Sequence, residues 1–79
     1  MPCRVGITTD PTTRRNFWEG RVVGLRDWRI VSSHQSKTAA QQSESDYARR
    51  TGCIAFPGGS GPPLATWHVY RFTYTRDMG

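Results

Sequence analysis

The sequence predicts an α+β domain, with a small, mainly antiparallel three-stranded sheet and two helices packed on it. Two segments, Cys3–Thr8 and Thr66–Thr75, alternate side chains with the period of two that marks a strand with two unlike faces. Two others carry start and stop signals of helices, Asp10-Pro11 up to Gly20 and Ser36 up to Gly52. The order is strand, helix, strand, helix, loop, strand, and 79 residues suffice for one core, so residues 1–79 read as a single domain.

In the first strand Cys3, Val5 and Ile7 point one way and Arg4, Gly6 and Thr8 the other. Asp10 is placed to cap a helix, and Pro11, whose missing N–H costs nothing in the first turn, opens it; the helix runs to about Glu19. Arg14, Phe17 and Trp18, at i, i+3 and i+4, share one side of it. A short basic link leads to a second strand, Asp27–Ser33, with Trp28 and Ile30 on one face. Ser36 caps the second helix, "KTAAQQSESDYARRT", whose inward stripe of Ala40, Glu44, Tyr47 and Ala48 holds a carboxylate that needs a reason to be there. "FPGGSGPP", Phe56–Pro63, is a loop, and in "TWHVYRFTYT" Trp67 and Val69 oppose His68, Tyr70, Phe72 and Tyr74.

Net charge is +5, carried by ten arginines and one lysine, and the planar guanidinium fork suits phosphate. Nucleic acid, DNA or RNA, is therefore the expected partner, with oligomeric state left open. No apolar run reaches the length of a signal peptide or a membrane span, so no membrane partner is expected. Two cysteines cannot make a four-thiolate zinc site, and Cys3 and Cys53 read as buried, reduced thiols of a soluble cytoplasmic protein.

"RVGITTDPTTRRNFW" resembles the second strand and first helix of GIY-YIG nuclease domains. Gly6 stands at the motif glycine, followed by Ile7 and Thr8, Arg14 at the family's catalytic arginine, and Trp18 at its aromatic or histidine position. "AQQSE", Ala40 to Glu44, has the family's spacing from an alanine to a metal-binding glutamate. The family's leading Gly-Ile-Tyr strand has no counterpart before Cys3, and its second tyrosine falls at Arg4. A circular permutation, with the last strand filling the vacant place beside Arg4–Thr8, brings Tyr70 or Tyr74 near a lost tyrosine.

The resemblance implies a phosphodiester-hydrolysing endonuclease that uses Mg²⁺ (or Mn²⁺). Glu44 is the implied metal ligand, Arg14 the group on the scissile phosphate, and Tyr70 the candidate base. Such a site requires Arg14 and Glu44 on one concave face, on the order of 5–10 Å apart with metal and phosphate between them. Arg4, Arg14, Arg15 and His34 are the expected nucleic-acid contacts. His68, on an aromatic strand face, reads as packed rather than catalytic. The alternative is a non-catalytic basic module, keeping the fold and binding nucleic acid or protein.

Overall fold

The computed structural model describes residues 2–56 and 61–78. Residues 57–60, the middle of the expected loop, lie outside that description. Strand β1 (Cys3–Thr8) leads through a tight corner into helix α1 (Pro11–Glu19). Thr8 Oγ1 accepts from the Asp10 amide, and the Asp10 carboxylate accepts from the Thr13 amide and hydroxyl, so the cap is made on both sides. These bonds hold the Asp10 carboxyl below the usual carboxylate range, the Thr13 amide contributing most.

Strand β3 (Arg26–His34) and helix α2 (Lys37–Thr51) follow, with Ser36 accepting from the Ala39 amide. Gly52 ends α2 in the left-handed region at φ 78°, which glycine adopts without strain, and its amide closes on Ala48 O at 2.8 Å. Strand β5 (Trp67–Thr73) completes the expected set.

The sheet has four strands in the order β3-β5-β1-β4, one more than expected. The addition is β4 (Ile54–Phe56), which pairs parallel with β1 after α2 has carried the chain across the sheet. The final strand does take the place beside the first: β5 pairs antiparallel with β1 in the register Gly6 with Tyr70. The basic link also holds structure, since β2 (Val22–Val23) pairs with β6 (Arg76–Asp77) in a separate two-stranded ribbon.

Alternation along β5 divides the interior into two cores. On one face Trp67 and Val69 pack with Val5, Ile7, Cys53 and Ala40 of α2. On the other Tyr70, Phe72 and Tyr74 pack with Trp18 of α1 and Val22. The helices therefore cover opposite faces of the sheet.

Cys3 and Cys53 form a disulfide, which corrects the expectation of reduced thiols. The bridge joins the start of β1 to the residue before β4, so it clamps the shortest strand pairing of the four-stranded sheet. No helix among the described residues is long and apolar enough to cross a membrane.

Candidate nucleic-acid interface

Among the described residues, the six side-chain carboxylates leave most of the arginines unpaired. Asp10 caps α1, Asp27 accepts from Thr73, and Glu44 is buried. The other three each take one arginine, in the pairs Arg4–Asp77, Arg15–Glu19 and Arg49–Asp46. Among the described residues no carboxylate therefore pairs with Arg14 or Arg21, and these two meet on a single side chain. The guanidinium of Arg14 lies 4.9 Å and that of Arg21 4.7 Å from the centre of the Phe17 ring. The ring holds the two cations with their hydrogen-bonding edges uncommitted.

Hollows flank this stack on both sides. One, about 360 Å³, is lined by Thr8, Thr9, Asp10, Thr13, Arg14 and Phe17. The other, about 330 Å³, is lined by Arg4, Phe17, Trp18, Arg21, Phe56 and Asp77.

Arg15 and Arg4 contribute less than expected. Arg15, one helical turn before Glu19, donates Nε to its carboxylate at 3.2 Å in full solvent, a contact of a few tenths of a kcal/mol that a phosphate could displace. Arg4 is engaged inside the protein. Its guanidinium lies 5.3 Å from the ring centres of both Trp18 and Tyr74 and donates to both oxygens of Asp77 at 3.1 Å. It ties β1 to β6 instead of joining an arginine patch at the helix entrance.

Tyr70 stands in a row that crosses the sheet as Ile30, Tyr70, Gly6 and Phe56. Its ring leans over Gly6 and its hydroxyl accepts from the Trp18 indole at 2.8 Å. Trp28 stacks on the ring from β3 at 4.7 Å between centres. Burial pushes the phenol up; the Trp18 hydrogen bond, Arg14 and Arg4 act against that rise, and Glu44 adds to it. A buried phenol held neutral is poorly suited to take a proton at neutral pH.

Glu44, one turn beyond Ala40 on the inward stripe of α2, is 3% exposed, and Oε2 has no hydrogen-bond partner. Desolvation raises its carboxyl to about 7. Its helix covers the Val5–Ile7 face, whereas Arg14 stands on the helix that covers the Gly6–Tyr70 face. The helices that carry Arg14 and Glu44 thus pack on opposite faces of the sheet. Tyr70 lies within electrostatic reach of both.

The histidines lie near neither arginine of the Phe17 stack in the chain. His34, at the end of β3, shares a hydrogen bond of 3.0 Å with Ser32, which in turn meets Ser43 of α2 at 3.2 Å. It borders a hollow of about 620 Å³ on the outer side of α2, together with Gln42, Ser43, Asp46, Arg49 and Arg50. His68 meets Ser33 through Nδ1 at 2.7 Å, a cross-strand bond consistent with a structural role.

Two residues of the α1 face were missed by sequence reasoning. Arg21 lay in what read as a link, although its spacing of four from Phe17 was available as a signal. Phe56 read as the start of a loop, and only its parallel pairing with Gly6 brings it over Trp18.

Comparison with protein-family models, with curated proteins and with solved structures finds no match to this chain.

Proposed function

We propose that this chain is a non-catalytic nucleic-acid-binding module that holds a phosphate backbone along the exposed side of α1. One observation carries this: Arg14 and Arg21 are stacked on Phe17 with no carboxylate to pair with either. Two fixed guanidinium groups with free donors suit two neighbouring phosphates, and the net charge of +5 favours encounter with a polyanion. Arg15 adds a third contact when it leaves Glu19.

The endonuclease reading, with Mg²⁺ or Mn²⁺ held by Glu44, fits less well. Glu44 is a single, 3% exposed carboxylate on a helix that packs on the other face of the sheet from α1. A lone carboxylate buried this far leaves little room for the water ligands that a Mg²⁺ ion keeps. The raised Tyr70 phenol offers no base in its place. The Cys3–Cys53 bridge also favours an oxidising location over the cytoplasm, where thiols are kept reduced.

Fluorescence anisotropy with a labelled oligonucleotide across a salt series tests this. Affinity falls with salt at a log–log slope of about −0.7 to −0.9 per phosphate neutralised. The Arg14→Ala, Arg21→Ala double variant flattens the slope by roughly 1.4 to 1.8 on the same scale. Binding indifferent to salt and to these variants removes the proposal. Cleavage that needs both Mg²⁺ and Glu44 would restore the nuclease.

A further inference from the structure

We infer that the hollow between Phe17 and Phe56 receives one unstacked base, so that the ligand is a single strand rather than a duplex. This rests on the phosphate contacts proposed above and names the form of nucleic acid that they hold.

The hollow differs from its neighbour in what lines it. Three of its six lining residues are aromatic: Phe17, Trp18 and Phe56. Phe17 and Phe56 both stand edge-on to Trp18, at 5.3 and 4.9 Å between ring centres, so Trp18 fixes the two phenylalanines. Trp18 is itself fixed, 4% exposed with its indole N–H bonded to Tyr70. Gly6 allows this, since any side chain there would displace the Tyr70 ring. With Phe17 carrying the two guanidiniums, the ring of Phe56, held by Trp18, is the apolar wall for the flat face of a base, which a single strand presents and a duplex keeps stacked.

The polar groups of the hollow point the same way. Asp77 accepts both of its bonds from Arg4 and is still 55% exposed at its side chain, so its oxygens keep lone pairs for another donor. Every base carries an N–H on its pairing edge, and in a duplex that N–H is already used. A carboxylate beside aromatic walls therefore favours an unpaired base, with little preference among the four. Arg21 stands at the same hollow with its guanidinium on Phe17, placed for the phosphate that flanks the inserted base. A bare phosphate site has no use for Phe56 or Asp77.

The test compares one short mixed-sequence oligonucleotide as a single strand and as its blunt duplex, at low salt, by anisotropy. The single strand is expected to bind more tightly, and Phe56→Leu, which keeps apolar bulk against Trp18 but removes the ring face, to weaken it roughly 5- to 100-fold. The weaker duplex binding is expected to stay unchanged in that variant. A 2-aminopurine placed in the single strand reads stacking directly in the wild-type protein, and its fluorescence is expected to fall on binding. Equal affinity for the two forms, or 2-aminopurine emission unmoved in the complex, overturns the base site and leaves the phosphate contacts standing. Salt-dependent binding to neither form removes both. If Phe56→Leu melts early by circular dichroism, the 2-aminopurine signal decides alone.

Discussion

Tyr70 lies across Gly6: a Cβ built on the glycine would stand 2.6 Å from Cζ of the tyrosine ring. Trp28 stacks on that ring, which is 1% exposed, and Trp18 holds its hydroxyl, so the ring cannot swing aside. Gly6→Ala is therefore expected to destabilise the fold by about 1–3 kcal/mol, as overpacking does in a filled core. Urea denaturation gives the value, and a change within error of zero would mean that the ring has room to move.

The Glu44 carboxyl makes stability depend on pH. Its folded value, about 7, lies above its ordinary 4.5, so the folded protein binds the proton more tightly than the unfolded chain does. The resulting stabilisation is full below pH 4.5 and is lost as pH rises through about 7. The loss amounts to about 3 kcal/mol. Glu44→Gln, which stays neutral, is expected to flatten the profile and to be the more stable protein at pH 8. Urea midpoints measured across this range decide it; a wild-type profile already flat would place Glu44 in solvent or beside a cation.

The bridge between Cys3 and Cys53 spans 50 residues of sequence. Loop-closure entropy for that span is worth about 4 kcal/mol. Reduction, or Cys53→Ser, is expected to lower stability by up to that amount, read as a shift in urea midpoint with and without reductant. Hydrogen exchange should show β4 opening before the other strands of its sheet, because among the described residues it pairs with β1 alone and over three residues.

Arg4 and Asp77 are unequal partners. Arg4 is packed between Trp18 and Tyr74, while Asp77 is more than half exposed. Arg4→Ala is expected to cost about 1–3 kcal/mol, losing cation–π and stem packing along with the ion pair. Asp77→Ala should cost under about 1 kcal/mol. Equal costs in thermal melts would put the energy in the ion pair itself.

Elements that carry their own signals were legible in the sequence. The Asp10-Pro11 start, the Ser36 cap and the Gly52 stop each act within a few residues, and the alternation in β1 and β5 spans a whole strand. Strand β4 and the β2–β6 ribbon, of three and two residues, are too short to show a period and exist only through their partners. The disulfide is likewise a distant meeting with no local trace. Periodicity showed which side of each helix is apolar, but not which face of the sheet that side would land on. That is why Glu44 was correctly placed on an inward stripe, while the packing of α1 and α2 on opposite faces of the sheet was not foreseen. The Phe17 stack was half visible, because Arg14 shares its helix and Arg21 lies just past the helix end.

Strand β1 is internal to the sheet, yet both of its partners come from the far half of the chain, at residues 54–56 and 68–73. No neighbour of β1 exists until most of the chain has been made. On a ribosome this strand must wait, with Val5 and Ile7 exposed, for partners that begin 50 residues later. Its sheet cannot grow outward from a local hairpin, and the loop entropy must be met before the strand is paired. Folding should accordingly be slow for so short a chain, a single late event rather than stepwise growth from the N-terminus.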